Sequence, residues 1–304
     1  MKGRFGMESV DFDPSDKYLK PAGFGNPDAP HYEYIEYGRK PWQYRVGGAS
    51  VVRGDKYMPY PRVCAHRGMN TTAPENTMPA FGMAVALGAE EIEFDLWPTV
   101  DGEIVSCHDP DLDRVSTGTG RVVDYTYDEL LKFDFGVKYS EKYKGLKIVT
   151  FEEILKKFAG RVIMNVHIKP LSDTEPYPEA AMKRIVSLVR QYDAQDHVYF
   201  MISPDVMIKQ FKAYAPDIPV CVGHFIPRPW EIVERAIELG CEKVQLFKPY
   251  FSEETVKKAH ENGIICNVFY ADDENEAKEY IKMGIDTILT NDYNIISQAV
   301  REVK

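Results

Sequence analysis

An α/β chain folded as a (β/α)8 TIM barrel is what this sequence predicts, on three observations. From Arg62 onward, short apolar runs of strand length alternate eight times with longer runs of helical periodicity. No G-x-G-x-x-G follows any of the strand-like runs, which disfavours the doubly wound alternative. Ionisable residues gather at the C-terminal ends of the early strands, the face where barrel chemistry sits. With 304 residues and 44% hydrophobic content, the chain can bury a substantial core. The expected organisation is an N-terminal extension over 1–61 and a barrel over 62–304.

The extension is rich in Pro, Gly, Tyr and charge. Its aromatics, among them His31, Tyr32, Tyr34, Tyr37, Trp42 and Tyr44, argue against simple disorder and for a strap along the barrel or a subunit contact. The strands are expected at 62–65, 90–96, 162–168, 198–202, 219–223, 243–247, 264–269 and 286–290. Helices are expected at 78–88, 151–159, 179–192, 204–214, 229–239, 253–262, 273–283 and 293–302. In 229–239, Ile232, Val233, Ala236, Ile237 and Leu239 make one apolar face, and Gly240 stops the helix. One stretch departs from the repeat. Thr99 to Cys107 carries Asp101-Gly102 between two apolar runs, a hairpin extending the second strand and folding His108 back toward the strand ends. A long loop over 111–150 follows, of the kind that shapes substrate pockets on barrels.

Net charge is −10, so nucleic acid and anionic membrane surfaces are poor partners, and an anionic substrate needs a local positive site. No apolar run reaches the length of a membrane span. Residues 1–20 lack the apolar core of a secretory signal, although an exported chain with its signal removed would look the same. Cys64, Cys107, Cys221, Cys241 and Cys266 lie on or beside apolar runs without metal-type spacing. They read as buried free thiols, which suits a reducing compartment such as the cytoplasm.

The densest chemistry lies between Arg62 and Asp109, in R-V-C-A-H-R-G, P-E-N-T, E-I-E-F-D-L and E-I-V-S-C-H-D. Alternation along Ile92–Leu96 puts Glu93 and Asp95 on one face, where two desolvated carboxylates repel unless a divalent cation lies between them. Alternation on the third strand likewise aligns Asn165, His167 and Lys169. In this order the motifs H-R-G, P-E-N-T, E-x-D and H-D resemble those of the glycerophosphodiester phosphodiesterase family, over about four-fifths of the chain. The resemblance implies metal-dependent hydrolysis of a glycerophosphodiester, a small anionic substrate, to sn-glycerol 3-phosphate and an alcohol. By resemblance His66 and His108 divide the acid and base roles, Arg67 and Lys169 neutralise the phosphodiester, Glu75 and Asn76 shape the first loop, and Asp109 orients His108. The metal ligands would be Glu93 and Asp95 with His167, which stands where the family's N-I-E-I-K motif has a glutamate. An imidazole in place of that carboxylate moves the expected ion, one of Mn²⁺, Zn²⁺, Mg²⁺ or Ca²⁺, toward Mn²⁺, Zn²⁺ or Fe²⁺. Affinity is then expected to weaken as pH falls through the histidine range.

The later strands are less diagnostic. Ser203 resembles the family's serine after a strand, Phe269-Tyr270 stands where a tryptophan-threonine pair is usual, and Thr290-Asn291-Asp292 loosely matches the closing T-D. His224 and Lys248 fall at strand ends, within possible reach of substrate, and Trp97 walls the pocket or anchors the hairpin. His197 and His260 read as surface residues. Two other functions fit the same motifs: a sphingomyelinase D-like phosphodiesterase that cyclises its product, and a non-catalytic barrel that binds a phosphorylated ligand.

Overall fold

The computed structural model describes residues 52–224 and 228–303, plus a short antiparallel pair of Tyr18–Leu19 with Ile35–Glu36. Most of the 1–61 extension, including the six aromatic residues named above, lies outside the described residues.

Eight parallel strands close a TIM barrel in the order Arg62–Ala65, Glu91–Pro98, Ile163–Ile168, Val198–Ile202, Val220–Val222, Lys243–Phe247, Ile265–Phe269 and Thr287–Thr290. The last strand pairs with the first, Thr287 opposite Arg62. Helices cover the outside, and their apolar faces meet the outward side chains of the strands in one continuous core. The expected elements are present with ends trimmed by a few residues. The second strand runs on to Pro98 because Ile104–Ser106 pairs with it antiparallel, Leu96 opposite Ser106. The turn passes through Gly102 at φ 86°, as the hairpin reading requires. Beyond it, Leu112, Val122, Leu130, Phe135 and Ile148 from the long loop bury Trp97 and Val105 in a second, smaller core. Trp97 is therefore a hairpin anchor, and its indole N–H donates to the His108 carbonyl at 3.4 Å.

Two sequence readings fail for the same reason, a polar group whose partner lies far along the chain. The helix expected at 229–239 spans Ile232–Leu239, with Ile237 exposed and Arg235 fully buried in its place. The Arg235 guanidinium donates to Asp205 Oδ1 and to the carbonyls of Ser203 and Gly223. His197, read as a surface residue, is 4% exposed, its Nε2 2.9 Å from the carbonyl of Val52. Neither burial leaves a signature in hydrophobic periodicity.

The N-terminal end of the barrel is closed by charge. Arg62 Nη1 donates to Asp55 Oδ1 at 2.6 Å and to Glu91 Oε1 at 2.7 Å, while Lys243 Nζ reaches Asp55 Oδ1 at 2.9 Å. Burial pushes the Asp55 carboxyl up, but Lys243 and Arg62 outweigh it and hold the group below its ordinary value. Two cations and two carboxylates thus satisfy one another under the barrel floor, leaving the opposite end open for chemistry.

Candidate active site

His66, Arg67 and Gly68 follow the first strand in a left-handed turn, with Arg67 at φ 55° and Gly68 at φ 79°. The turn aims the Arg67 backbone N–H at Glu93 Oε2, 3.1 Å away, and swings its guanidinium to Glu75 Oε1 at 2.9 Å. Glycine is required next because a Cβ at Gly68 would lie 2.6 Å from the backbone carbon of Ala80. Gly68→Ala is therefore expected to destabilise the fold by about 2–4 kcal/mol, through steric overlap and positive φ together. Urea unfolding checks this, and a loss below about 0.5 kcal/mol would contradict it.

His66 is 6% exposed and its tautomer is set by its neighbours. Asn291 Nδ2 donates to Asp272 Oδ2 at 2.8 Å, which turns Asn291 Oδ1 toward His66 Nδ1, also at 2.8 Å. A carbonyl oxygen can only accept, so Nδ1 carries the proton and Nε2 is left bare. Consistently, Arg67 Nε donates to His66 Nε2 at 3.2 Å.

Register brings the metal-type ligands together, with Asp95 on the second strand opposite His167 on the third. Potential donor atoms of Glu93, Asp95 and His167 all lie within 4.8 Å of one another. Asp95 Oδ1 meets His167 Nδ1 at 3.1 Å and Lys169 Nζ at 2.9 Å, and Asp95 Oδ2 accepts from Asn76 at 2.9 Å. Burial raises both carboxylates, but unequally offset. Burial and the charge of Asp95 push Glu93 up to about 8, whereas Lys169 and the His167 hydrogen bond outweigh burial at Asp95 and hold it well below its ordinary value. Two buried carboxyl groups with a neutral imidazole beside them fit a divalent cation: they offer oxygen ligands and a borderline nitrogen at one buried point, and a cation there would relieve the repulsion that raises Glu93. Burial and Lys169 lower His167 to about 4, so its ring is neutral well below the ordinary histidine range. A pH dependence of metal affinity carried by His167 itself is therefore expected below the ordinary histidine range. A second grouping, His260, Cys266 and Asp286, lies at the opposite end of the strands, where Asp286 Oδ2 already bonds the Cys266 N–H and His260 Nε2.

The hairpin returns His108 to the strand ends as expected, with Asp109 Oδ1 2.6 Å from its Nδ1. Burial lowers the His108 ring below its ordinary value. Asp109 is held at about 2, chiefly by the hydrogen bond from Arg114. The sequence reading did not single out Arg114, yet it organises this side. Its Nε donates to Asp109 Oδ2 at 2.6 Å, while Nη1 and Nη2 grip both oxygens of Glu75 at 2.8 and 2.7 Å. Glu75 in turn holds Arg67, so one chain of contacts runs from His108 through Asp109, Arg114, Glu75 and Arg67 to His66. Five residues separating Arg114 from Asp109 inside the long loop were the available hint.

These residues surround a cleft with two arms. The inner arm, about 200 Å³, holds the metal-type cluster and Lys169, with Ser203, His224 and Gln245 on its far wall. The outer arm, about 510 Å³, runs beneath the long loop past Glu75, Arg114 and Lys138. His66, Arg67, His108 and Phe269 line both. Ser203 and His224 thus reach the cleft, whereas Lys248 is turned to Glu276 at 2.8 Å. His260 stays on the surface.

A TIM barrel with an acid-imidazole cluster, two histidines and two cations around one cleft at the C-terminal strand ends defines a phosphoryl-handling enzyme. The model of the glycerophosphoryl diester phosphodiesterase family matches residues 66–295, and the chain belongs to that family. It is a phosphodiesterase. The glycerophosphodiester phosphodiesterase of Caldanaerobacter subterraneus subsp. tengcongensis is 30% identical over 245 residues, 79% of this chain and 98% of the relative. That of Bacillus subtilis is 26% identical over 244 residues, 75% of this chain and 82% of the relative. Among solved structures, an Oleispira antarctica phosphodiesterase in complex with the product sn-glycerol-3-phosphate superposes with a TM-score of 0.72 at 26% identity, covering 80% of this chain and 97% of that one. The Agrobacterium tumefaciens glycerophosphodiester phosphodiesterase shares the fold, with a TM-score of 0.67 at 20% identity over 79% of this chain and 100% of that one.

Proposed function

We propose that this enzyme hydrolyses glycerophosphodiesters to sn-glycerol 3-phosphate and an alcohol, with a divalent cation held by Glu93, Asp95 and His167. The observation that carries the reading is the shared lining of the two arms: the groups able to move protons and bind phosphate lie where the arms meet. When bound, the cation supplies Lewis acidity at a phosphoryl oxygen, and the imidazole ligand favours Mn²⁺ or Zn²⁺ over Mg²⁺ or Ca²⁺.

The remaining chemistry belongs to side chains. Arg67 and Lys169 offset the charge of the phosphodiester. His66 presents a bare Nε2 and leans on a neutral amide, Asn291, so it suits the base that takes a proton from the attacking water. His108 leans on a carboxylate, Asp109, which partly offsets the lowering by burial, so of the two histidines it is the one better suited to hold a proton and pass it to the departing alkoxide. A P–O bond forms from water, whose proton passes to His66 Nε2, and the P–O bond to the alcohol breaks as His108 gives its proton to the departing oxygen; exchange with solvent returns both rings to their starting states. The inner arm has the volume for a glycerol moiety, and Ser203, His224 and Gln245 offer it polar contacts. The five cysteines are all free and buried, which suits the cytoplasm. Among the described residues no helix is long and apolar enough to cross a membrane.

Phosphorus NMR of the manganese-loaded enzyme with glycerophosphoglycerol tests the reaction. The expected product is the phosphomonoester, sn-glycerol 3-phosphate. A cyclic phosphodiester would instead identify a cyclising enzyme of the sphingomyelinase D kind, and unchanged substrate would identify a binding barrel.

A further inference from the structure

The outer arm of the cleft carries a bias of charge. Of the ionised side chains that line it among the described residues, Arg67, Arg114 and Lys138 are cations and Glu75 alone is an anion. Both Glu75 oxygens are already taken, Oε1 by Arg67 and Arg114 and Oε2 by Arg114. Arg114 in turn spends its Nε on Asp109. Lys138 is different. Its ammonium is anchored to the Asp113 backbone carbonyl, an uncharged acceptor, which keeps the cation at the rim and leaves it two further N–H donors. Two of the aromatic rings that line the arm already have partners. Tyr270 has the Lys248 ammonium over its ring at 4.8 Å, and Tyr139 packs edge-on against Tyr143 at 5.7 Å.

The position of this arm gives the bias a meaning. A phosphodiester centred between His66, Arg67 and His108 sends one ester arm inward and the other outward. The inner arm is the smaller and is taken up by the metal-type cluster; the outer is more than twice as large and lies beneath the 111–150 loop. We propose that the outer arm is the subsite for the leaving alcohol, and that through Lys138 it selects alcohols bearing a negative charge over alcohols bearing a fixed positive charge. This rests on the phosphodiesterase reading above. A quaternary ammonium placed there meets unneutralised positive charge and no free carboxylate, whereas a second phosphate meets a held ammonium with donors to spare. A neutral polyol falls between.

The test compares kcat/KM of the manganese-loaded enzyme on three substrates with the same glycerophosphoryl half. They are glycerophosphocholine, glycerophosphoglycerol and bis(glycerophospho)glycerol, whose leaving alcohols are cationic, neutral and anionic. The expected order is anionic over neutral over cationic, with about tenfold or more between the extremes. Lys138→Glu should remove or invert that ratio, chiefly through KM, while Lys138→Arg should preserve it. Lys138 lies outside the proton-transfer and metal groups, so the change should appear in KM for the charged substrates rather than in kcat, and thermal melting checks that both variants are folded. Equal kcat/KM on all three substrates, or a ratio that Lys138→Glu leaves unchanged, overturns the selectivity while the hydrolase reading stands. No hydrolysis of any of the three overturns the hydrolase reading, and the selectivity with it.

Discussion

His66→Ala and His108→Ala are each expected to lower turnover by about 10²–10⁴-fold, with the fold retained. His66 contributes an unprotonated Nε2 because Asn291, itself turned by Asp272, accepts the hydrogen bond of Nδ1–H and so keeps the proton there. Alanine leaves no group in its place to receive the water proton. His108 contributes the opposite transfer, and its loss should weigh least on substrates whose alcohols leave easily. Steady-state kinetics on glycerophosphoglycerol and on an aryl phosphodiester separates the two. His108→Ala should recover on the aryl substrate, where the leaving group needs no proton, and His66→Ala should not. Either variant within a few-fold of wild type on glycerophosphoglycerol would remove that histidine from the mechanism, and recovery of His66→Ala alone would exchange the two roles.

Chelation of the metal is expected to abolish turnover, and His167→Ala to weaken metal affinity by about 100-fold. In wild type, binding should release about one proton at pH 7. Burial and the charge of Asp95 raise Glu93 well above the usual carboxylate range, so a cation is expected to compete with a proton for its carboxyl near neutral pH. Affinity should therefore climb as pH rises toward about 8 and then level off. His167, lowered to about 4, is neutral throughout that range and adds no step near 6.5. Calorimetric titration of Mn²⁺ in two buffers of different ionisation enthalpy measures the proton directly. Affinity independent of pH between 6 and 8 would contradict the assignment to Glu93, and unchanged affinity in His167→Ala would remove His167 from the ligand set. His167→Glu should shift the preferred ion toward Mg²⁺ or Ca²⁺, because a third carboxylate replaces the borderline nitrogen.

The barrel was legible because its signals are local and repeated. Each strand is a short apolar run, each helix an apolar stripe, and eight alternations leave few architectures that bury all of them. Helix 151–158 shows why such local reading works: Thr150 and Glu153 form a reciprocal cap, both present within four residues of sequence. The clustering of Glu93, Asp95 and His167 was legible for a related reason. Strand alternation puts each on the inner face, and consecutive barrel strands are neighbours in space.

What sequence alone determined about this protein is therefore the fold, its family and the residue types of the site. The tertiary structure decided everything that depends on partners distant along the chain. Arg114 reaches back across 39 residues to Glu75, and Asn291 crosses 225 to set the proton on His66. Arg235 and His197 are buried by carbonyls and carboxylates that no periodicity announces. Even the site's electrostatics followed this division: the pair Glu93 and Asp95 could be read as repelling carboxylates, but that Asp95 is lowered and Glu93 raised depends on Lys169 and His167 arriving beside Asp95 from another strand. Hydrophobic burial is written residue by residue and survives averaging over a window. A hydrogen bond or an ion pair is a property of two positions at once, and only folding specifies the second.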